Sequence, residues 1–358
     1  MSTLGRLLPL CLSLGLACDG PPPAPPLEAP AEAPPGAGDA EVRAPAGRRL
    51  VVVLVVDQMR SDYLERFAHL YEDGLDRLID GGAWFQAATI AHAVTMTSPG
   101  HATIATGTHP RRHGVIQNDW IERADGAPAY AAADPNATIV GPPGSDVAGL
   151  AGVSPASLRA PTLGAWLKAA SPASKVVAIA FKDRASVLMA GEGADGAYWY
   201  ESAIGAWVTS SFFRAALPPW VLDYDASPAV QGAGQAPWER LLPASAYDFV
   251  GADAVAAEGD GVQTIFPHPL IKAGDDAKAR FYRLGASPVG DAMGLELAAR
   301  ALAAEDLGVD EAGDLLLLSL SGADLVGHSY GPDSHEIVDY YVRLDRALGD
   351  LLRELDRR

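Results

Sequence analysis

The feature that most constrains the fold is the run Leu50–Val56, LVVVLVV, which stops at Asp57. β-branched side chains favour extended backbone. A run with no polar alternation predicts a strand covered on both faces. Two similar runs follow, Lys175–Ala180 (KVVAIA) and Leu315–Leu320 (LLLLSL). A helical stretch is predicted from about Tyr63 to Asp80, closed by Gly81 and Gly82. A last helix is predicted from about His335 to Asp356, with Ser334 as its cap. Strands alternating with helices predict an α/β fold with a mainly parallel sheet. Ligands of such sheets bind beyond the carboxyl ends of the strands. Asp57 and the residues after Leu320 are therefore the first place to look. Residues from about 119 to 285 hold many Gly, Pro, Trp and Tyr and no long periodic helix. They read as loops and a cap-like insertion over that place.

The first 18 residues form a different kind of segment. One cation, Arg6, precedes an apolar run from Leu7 to Ala17. That run is too short to span a bilayer and fits an export signal. Leu14-Gly15-Leu16-Ala17-Cys18 resembles a bacterial lipoprotein cleavage site, with Cys18 as the acylated residue; an ordinary signal peptide is the plainer alternative. Residues 19–48, with prolines clustered between Pro21 and Pro35, favour extended polyproline II and predict a tether. The expected organisation is thus a signal peptide over 1–18, a linker over 19–48 and a folded body over 49–358. The body is placed outside the cytoplasm, in the periplasm or cell envelope, touching a membrane only through its anchor. Formal charge is −18, so no affinity for nucleic acid is expected. Both cysteines, Cys11 and Cys18, lie in the leader, which leaves the body without a thiolate ligand or nucleophile.

Four polar constellations punctuate the body. Asp57 ends the first strand, either as a surface turn residue or as a metal ligand. Thr95-Met96-Thr97-Ser98-Pro99-Gly100-His101 reads as a loop entering a helix. The free N–H groups of that helix end suit a phosphate. A threonine there is either a cap or a nucleophile. Phe181-Lys182-Asp183-Arg184 follows a buried strand directly. Its two cations project together only from extended or loop backbone, as a solvated turn or as a grip on phosphoryl oxygens. Finally, Asp324 and His328 lie four apart, on one side of a helical turn, and their oxygen and nitrogen suit zinc.

Taken in order, these segments resemble the alkaline phosphatase superfamily, in the threonine-nucleophile branch that includes the type I phosphodiesterases and nucleotide pyrophosphatases. The resemblance runs from about Leu50 to the end of the chain and implies a three-layer α/β/α fold. VVDQMRSDYL resembles the first metal-binding turn, which implies Asp57 as a zinc ligand. TMTSPGHATIATGTHPRRHGVIQNDW resembles the nucleophile segment. It implies Thr97 as nucleophile and metal ligand, with Thr95 and Ser98 ranked behind it, and Asn118 as a donor to a phosphoryl oxygen. SGADLVGHSYGP implies Asp324 and His328 on a second zinc. FKDRASVLMAG followed by AYWY resembles the Lys-x-Arg segment of the monoesterases, which makes Lys182 and Arg184 substrate-binding residues. The implied activity is two-zinc hydrolysis of small phosphate monoesters through a phosphothreonine. Hydrolysis of diesters or pyrophosphates is the alternative within the branch. An exported phosphate-binding protein without turnover is the alternative outside catalysis.

The family pattern continues past the last helix, to a strand ending in Asp-His-Gly and a later His, which supply further zinc ligands. The sequence stops at Arg358 and contains no Asp-His pair. His268, in FPHPL, is too early to substitute. The expectation is a shortened form of a larger phosphatase, without its C-terminal strands. It would bind zinc weakly and turn over poorly.

Overall fold

The computed structural model describes residues 49–358. The leader, the lipid site at Cys18 and the linker lie outside the described residues. The body starts with β1 (Leu50–Val56), α1 (Tyr63–Arg66), α2 (Gly74–Gly81), α3 (Thr97–Thr106) and α4 (Pro110–His113). Short strands β2 (Asp119–Ile121), β3 (Pro128–Tyr130) and β4 (Ile139–Val140) follow, then α5 (Leu163–Ala170), β5 (Val176–Ala180) and α6 (Asp183–Ala190). Next come β6 (Gly196–Glu201), β7 (Ala206–Ser210), α7 (Pro219–Asp225), α8 (Pro228–Gln231) and α9 (Ala277–Gly285). The chain ends with α10 (Pro288–Ala304), β8 (Asp314–Leu320), α11 (Gly322–Tyr330) and α12 (His335–Asp356).

The main sheet has the order β1-β8-β5-β6-β7-β4. β1, β8, β5 and β6 are parallel, while β7 and β4 each run antiparallel to their neighbour. Side chains alternate across the sheet. Leu316, Leu318 and Leu320 pack into the core shared with α10 and α12. Leu315 and Leu317 pack on the other face with Met189, Ala190 and Leu167 of α6 and α5. This is the three-layer α/β/α arrangement. Register then decides where the chemistry goes. Val56 pairs with Leu320 and Ala180 with Ser319, so β1, β8 and β5 end at one level. Asp57, Lys182 and Ser321 follow at that level.

The structure corrects three expectations. β1 is not covered on both faces: it pairs only with β8, and Val51 is 56% exposed. An unbroken apolar run cannot distinguish a central strand from an edge strand. The helix expected from Tyr63 to Asp80 is broken, because Tyr71 is extended and buried, with its hydroxyl on the Tyr63 carbonyl at 3.1 Å. The stretch 119–285, read as a loop-rich cap, supplies β4, β5, β6 and β7 of the main sheet. Many of its aromatic residues are core residues, among them Tyr198, Trp199 and Trp207. The last helix begins where its cap predicts, with Ser334 Oγ accepting from Ile337 N at 3.1 Å. Among the described residues no helix is long and apolar enough to cross a membrane.

Two buried aspartates hold helix starts from a distance. The first turn of a helix carries N–H groups without helical partners. At α2 they are taken by Asp345 of α12, whose Oδ1 accepts from Leu75 N at 2.7 Å and whose Oδ2 accepts from Glu72 N at 2.9 Å and Asp73 N at 3.0 Å. At α11 the partner is Asp291 of α10, which accepts from Ser321 N and Gly322 N, both at 2.8 Å, and from the Tyr340 hydroxyl at 2.7 Å. Burial pushes the Asp291 carboxyl up to about 6, against the pull of Tyr340 and the two N–H donors.

Asp345→Ala should lower unfolding stability by about 2–3 kcal/mol, since it strands several buried donors at once. Chemical denaturation checks this. Asp291 binds its proton more tightly folded than unfolded, so its contribution is present at low pH and is lost as pH rises toward about 6. Asp291→Asn does not titrate. Its destabilisation should therefore be larger at pH 5 than at pH 8, by on the order of 1 kcal/mol. A gap that widens at pH 8 would contradict that sign.

Candidate active site

The site is assembled at the carboxyl ends of β1, β5 and β8. Asp57 follows β1 directly, with its N–H on the Leu320 carbonyl at 2.9 Å. Thr97 is the first residue of α3, entered through an extended Met96. The Thr97 hydroxyl donates to Asp57 Oδ2 at 3.1 Å and makes no capping bond to its own helix. Asn118 takes over that task, its Oδ1 accepting from Ser98 N at 2.9 Å. The Asn118 amide N–H2 is thereby oriented beside the same helix start. His101 ties α3 to the sheet. One ring nitrogen lies 2.7 Å from the Thr97 carbonyl and the other 2.7 Å from Ser319 Oγ. Burial pushes His101 down, toward the neutral ring. Nδ1 then donates to the carbonyl and Nε2 accepts from the serine.

Lys182 caps the start of α6 in extended backbone and is buried. Its Nζ donates to Asp57 Oδ2 at 2.7 Å and to Asp324 Oδ2 at 2.5 Å. Burial raises the Asp57 carboxyl, but the Lys182 charge and the hydrogen bonds from Lys182 and Thr97 outweigh it, and the net shift is downward. The carboxylate is therefore ionised in the fold. Asp324 and His328 share one turn of α11, with Oδ1 and Nε2 3.3 Å apart. Gln58 lies between them, its Nε2 3.1 Å from Asp324 Oδ1 and 3.3 Å from His328 Nε2. Gln58 has a left-handed φ of 62°, an uncommon state for a residue with a side chain. A Cβ at Gly327 would lie 2.5 Å from Gln58 Oε1, so glycine there leaves room for it.

Five of the seven residues singled out in the sequence form a continuous row: Thr97, Asp57, Lys182, Asp324 and His328. Asn118 joins it through Ser98. Arg184 stands on the flank, inside the first turn of α6, facing Tyr130 and Asp183; Tyr130 donates to Asp183 Oδ1 at 2.6 Å. Lys182 is extended and pairs with the two carboxylates, whereas Arg184 is helical and lies beside Tyr130, with Asp57 also among the charges acting on it. Arg184 Nε is buried without a partner. Thr95 is exposed, and the buried Ser98 hydroxyl has no partner. His268 is buried against Glu336 at 2.6 Å and does not reach Asp324. Gln58, His101, Ser319 and Asp291 escaped sequence reasoning. Only the adjacency of Gln58 to Asp57 was a usable signal for any of them.

The donor chemistry suits divalent cations, with a carboxylate and a hydroxyl in one pair and a carboxylate and an imidazole in the other. Two carboxylates near one buried ammonium also require positive charge at that spot. Among the described residues no three His, Cys, Asp or Glu converge on one point.

Comparison with known proteins agrees with this arrangement. The sequence model of the type I phosphodiesterase / nucleotide pyrophosphatase family matches residues 51–358. Alkaline phosphatase PafA of Elizabethkingia meningoseptica is 35% identical over 313 residues, covering 87% of this chain and 57% of the relative. Alkaline phosphatase PhoV of Synechococcus elongatus is 37% identical over 314 residues, covering 86% of this chain and 56% of the relative. The crystal structure of wild-type PafA superimposes with a TM-score of 0.81 at 34% identity, over 87% of this chain and 60% of that one. A second structure of that enzyme, substituted at a threonine, an asparagine, a lysine and an arginine, superimposes with a TM-score of 0.80. The chain spans less than two thirds of the length of these relatives. With the family pattern matched from β1 to the last residue, the chain belongs to the type I phosphodiesterase / nucleotide pyrophosphatase family.

Proposed function

We propose that this chain carries the nucleophile half of a metal-dependent phosphomonoester hydrolase of the alkaline phosphatase type, acting through a phosphothreonine at Thr97. The observation that carries the reading is the Thr97 hydroxyl on Asp57, at the open start of α3, with Lys182 on the same carboxylate. Thr97 Oγ1, its proton passing to solvent, attacks phosphorus; the P–Oγ1 bond forms and the bond to the substrate oxygen breaks, the leaving oxygen taking a proton from water. Water then cleaves the phosphothreonine, releasing phosphate and restoring the hydroxyl. Asp57 orients the hydroxyl and accepts its hydrogen bond. Asn118, with Oδ1 committed to Ser98 N, offers its amide N–H to a phosphoryl oxygen. Two divalent cations, zinc by the family resemblance, would be held in part by Asp57 and Thr97 and in part by Asp324 and His328. They supply Lewis-acid stabilisation of charge on the attacking and leaving oxygens.

Preference for monoesters is read from the cations. A monoester presents three non-bridging oxygens and two negative charges, whereas a diester replaces one oxygen with a second ester arm. Lys182, once its carboxylate partners are balanced by metal, has an ammonium to offer such an oxygen. Arg184 has a buried Nε without a partner. The substituted threonine, asparagine, lysine and arginine of the PafA variant match Thr97, Asn118, Lys182 and Arg184 in type and order, with the same separation within each pair. The family model itself is named for phosphodiesterases, which keeps diester hydrolysis as the competing reading. Residues 1–18 support export, with Cys18 as the lipid anchor.

Thr97→Ala should abolish turnover of an aryl phosphate while the circular dichroism spectrum and melting temperature stay unchanged. Near-normal turnover in that variant sinks the nucleophile assignment. The double change Lys182→Ala with Arg184→Ala should cost at least about tenfold more in kcat/KM on an aryl monoester than on a bis-aryl diester. Equal losses would refute the monoester role of the pair.

A further inference from the structure

The row of site residues has a direction. Thr97 and Asp57 stand at one end, and Asp324 and His328 at the other, linked by Lys182. Attack on phosphorus is in line, so the leaving alcohol departs on the side away from Thr97. That side opens at His328, which is 63% exposed. A cavity of about 260 Å³ begins there, with His328 in its wall. Its polar walls also include Ser329, Tyr282, Gln263, His268, Lys272 and Arg283. The cavity is smaller than the ~300–1,000 Å³ of sites for drug-sized ligands, so it suits a compact alcohol.

One cation of this cavity has no ion-pair partner. Arg283 is paired with Asp275, whose carboxylate also accepts from the backbone N–H of Lys272 at 2.7 Å. The Lys272 ammonium makes no ion pair and no side-chain hydrogen bond among the described residues, and neither does the Gln263 amide. Arg283 is matched by Asp275, and Glu336 is held by His268 in the cavity wall, so Lys272 is the unpaired charge there, in a chain of formal charge −18. The Tyr282 hydroxyl and Ser329 Oγ, 3.0 Å apart, place two further polar groups on the wall beside His328.

We infer that this cavity is the leaving-group subsite and that it takes alcohols carrying an anionic group, which Lys272 binds. The inference rests on the phosphomonoesterase reading and adds the substrate class. It predicts that esters with a second negative charge a few atoms from the scissile oxygen are preferred over neutral esters of the same size. A lysine ammonium acts as a point charge with rotatable donors, so it does not demand one fixed anion shape.

The test compares glycerol 3-phosphate with 3-phosphoglycerate, which differ only in a terminal hydroxymethyl or carboxylate. With zinc supplied, kcat/KM is measured for wild type, Lys272→Ala and Lys272→Arg. Lys272→Ala should lose about tenfold on 3-phosphoglycerate and stay within about twofold on glycerol 3-phosphate. Lys272→Arg should recover most of the loss. Equal losses on both esters, or no loss on either, overturn the subsite. Should wild type turn over neither ester, the phosphatase reading has failed, and calorimetric titration with 3-phosphoglycerate decides the subsite. Binding that weakens in Lys272→Ala upholds it; binding that is absent, or indifferent to Lys272, overturns it.

Discussion

The placement of one buried ammonium between two carboxylates organises this molecule. Asp57 follows β1, Asp324 lies in α11 just after β8, and Lys182 follows β5. Taking three charges out of water is costly, and the cost is recovered only when geometry and charge balance are both good. Lys182 meets this with contacts of 2.7 Å and 2.5 Å to its two partners. The parallel register of β1, β8 and β5 makes the contacts possible, because it ends all three strands at one level. A strand displaced by one pair would carry its terminal charge away from the others.

The helices complete what the strands begin. α3 presents Thr97, α6 presents Lys182 and α11 presents Asp324, each at or near a helix start, while His328 stands in the last turn of α11. Such starts have N–H groups to offer, and two of the three are committed to side chains from elsewhere. Asn118 takes Ser98 N in α3, and Asp291 takes Ser321 N and Gly322 N before α11. His101 adds a crosslink from α3 to Ser319 of β8. Thr97 and Asp324 are thus both tied to the end of β8. A shift of α11 along β8 would change the distance between Thr97 and His328, and with it the span available to a phosphoryl group.

Much of the site was legible in the order of the residues. Asp57 closes an apolar run, Thr97 precedes a proline in a helix-entry pattern, and Asp324 and His328 sit one turn apart. Each is a local signal, with residue type and spacing carrying its physical reason. The resemblance to a family joined them. What stayed hidden were the partners that act over long separations: Gln58 on Asp324, His101 on Ser319 and Asp291 on the start of α11. Nothing near these residues in the chain marks their contacts, since the partners are brought up by other elements. The cavity beside His328 was hidden for the same reason. It joins residues of α9 and α11 with the segment between α8 and α9.

By itself the sequence determined three strands of the sheet, β1, β5 and β8, the last helix with its serine cap, and the polar residues that follow those strands. These follow from hydrophobic runs, capping preferences and side-chain chemistry, all of which act over a few residues. Only the tertiary structure decided that β1 lies at the edge of the described sheet, that residues 119–285 add β4, β6 and β7 to the expected β5, and that Arg184 stands beside Tyr130 while Lys182 pairs with two carboxylates. Strand order is set by which faces the helices cover, and the direction of a side chain by the backbone state of its own residue. Lys182 is extended and Arg184 begins a helix, so two cations separated by one residue serve different partners.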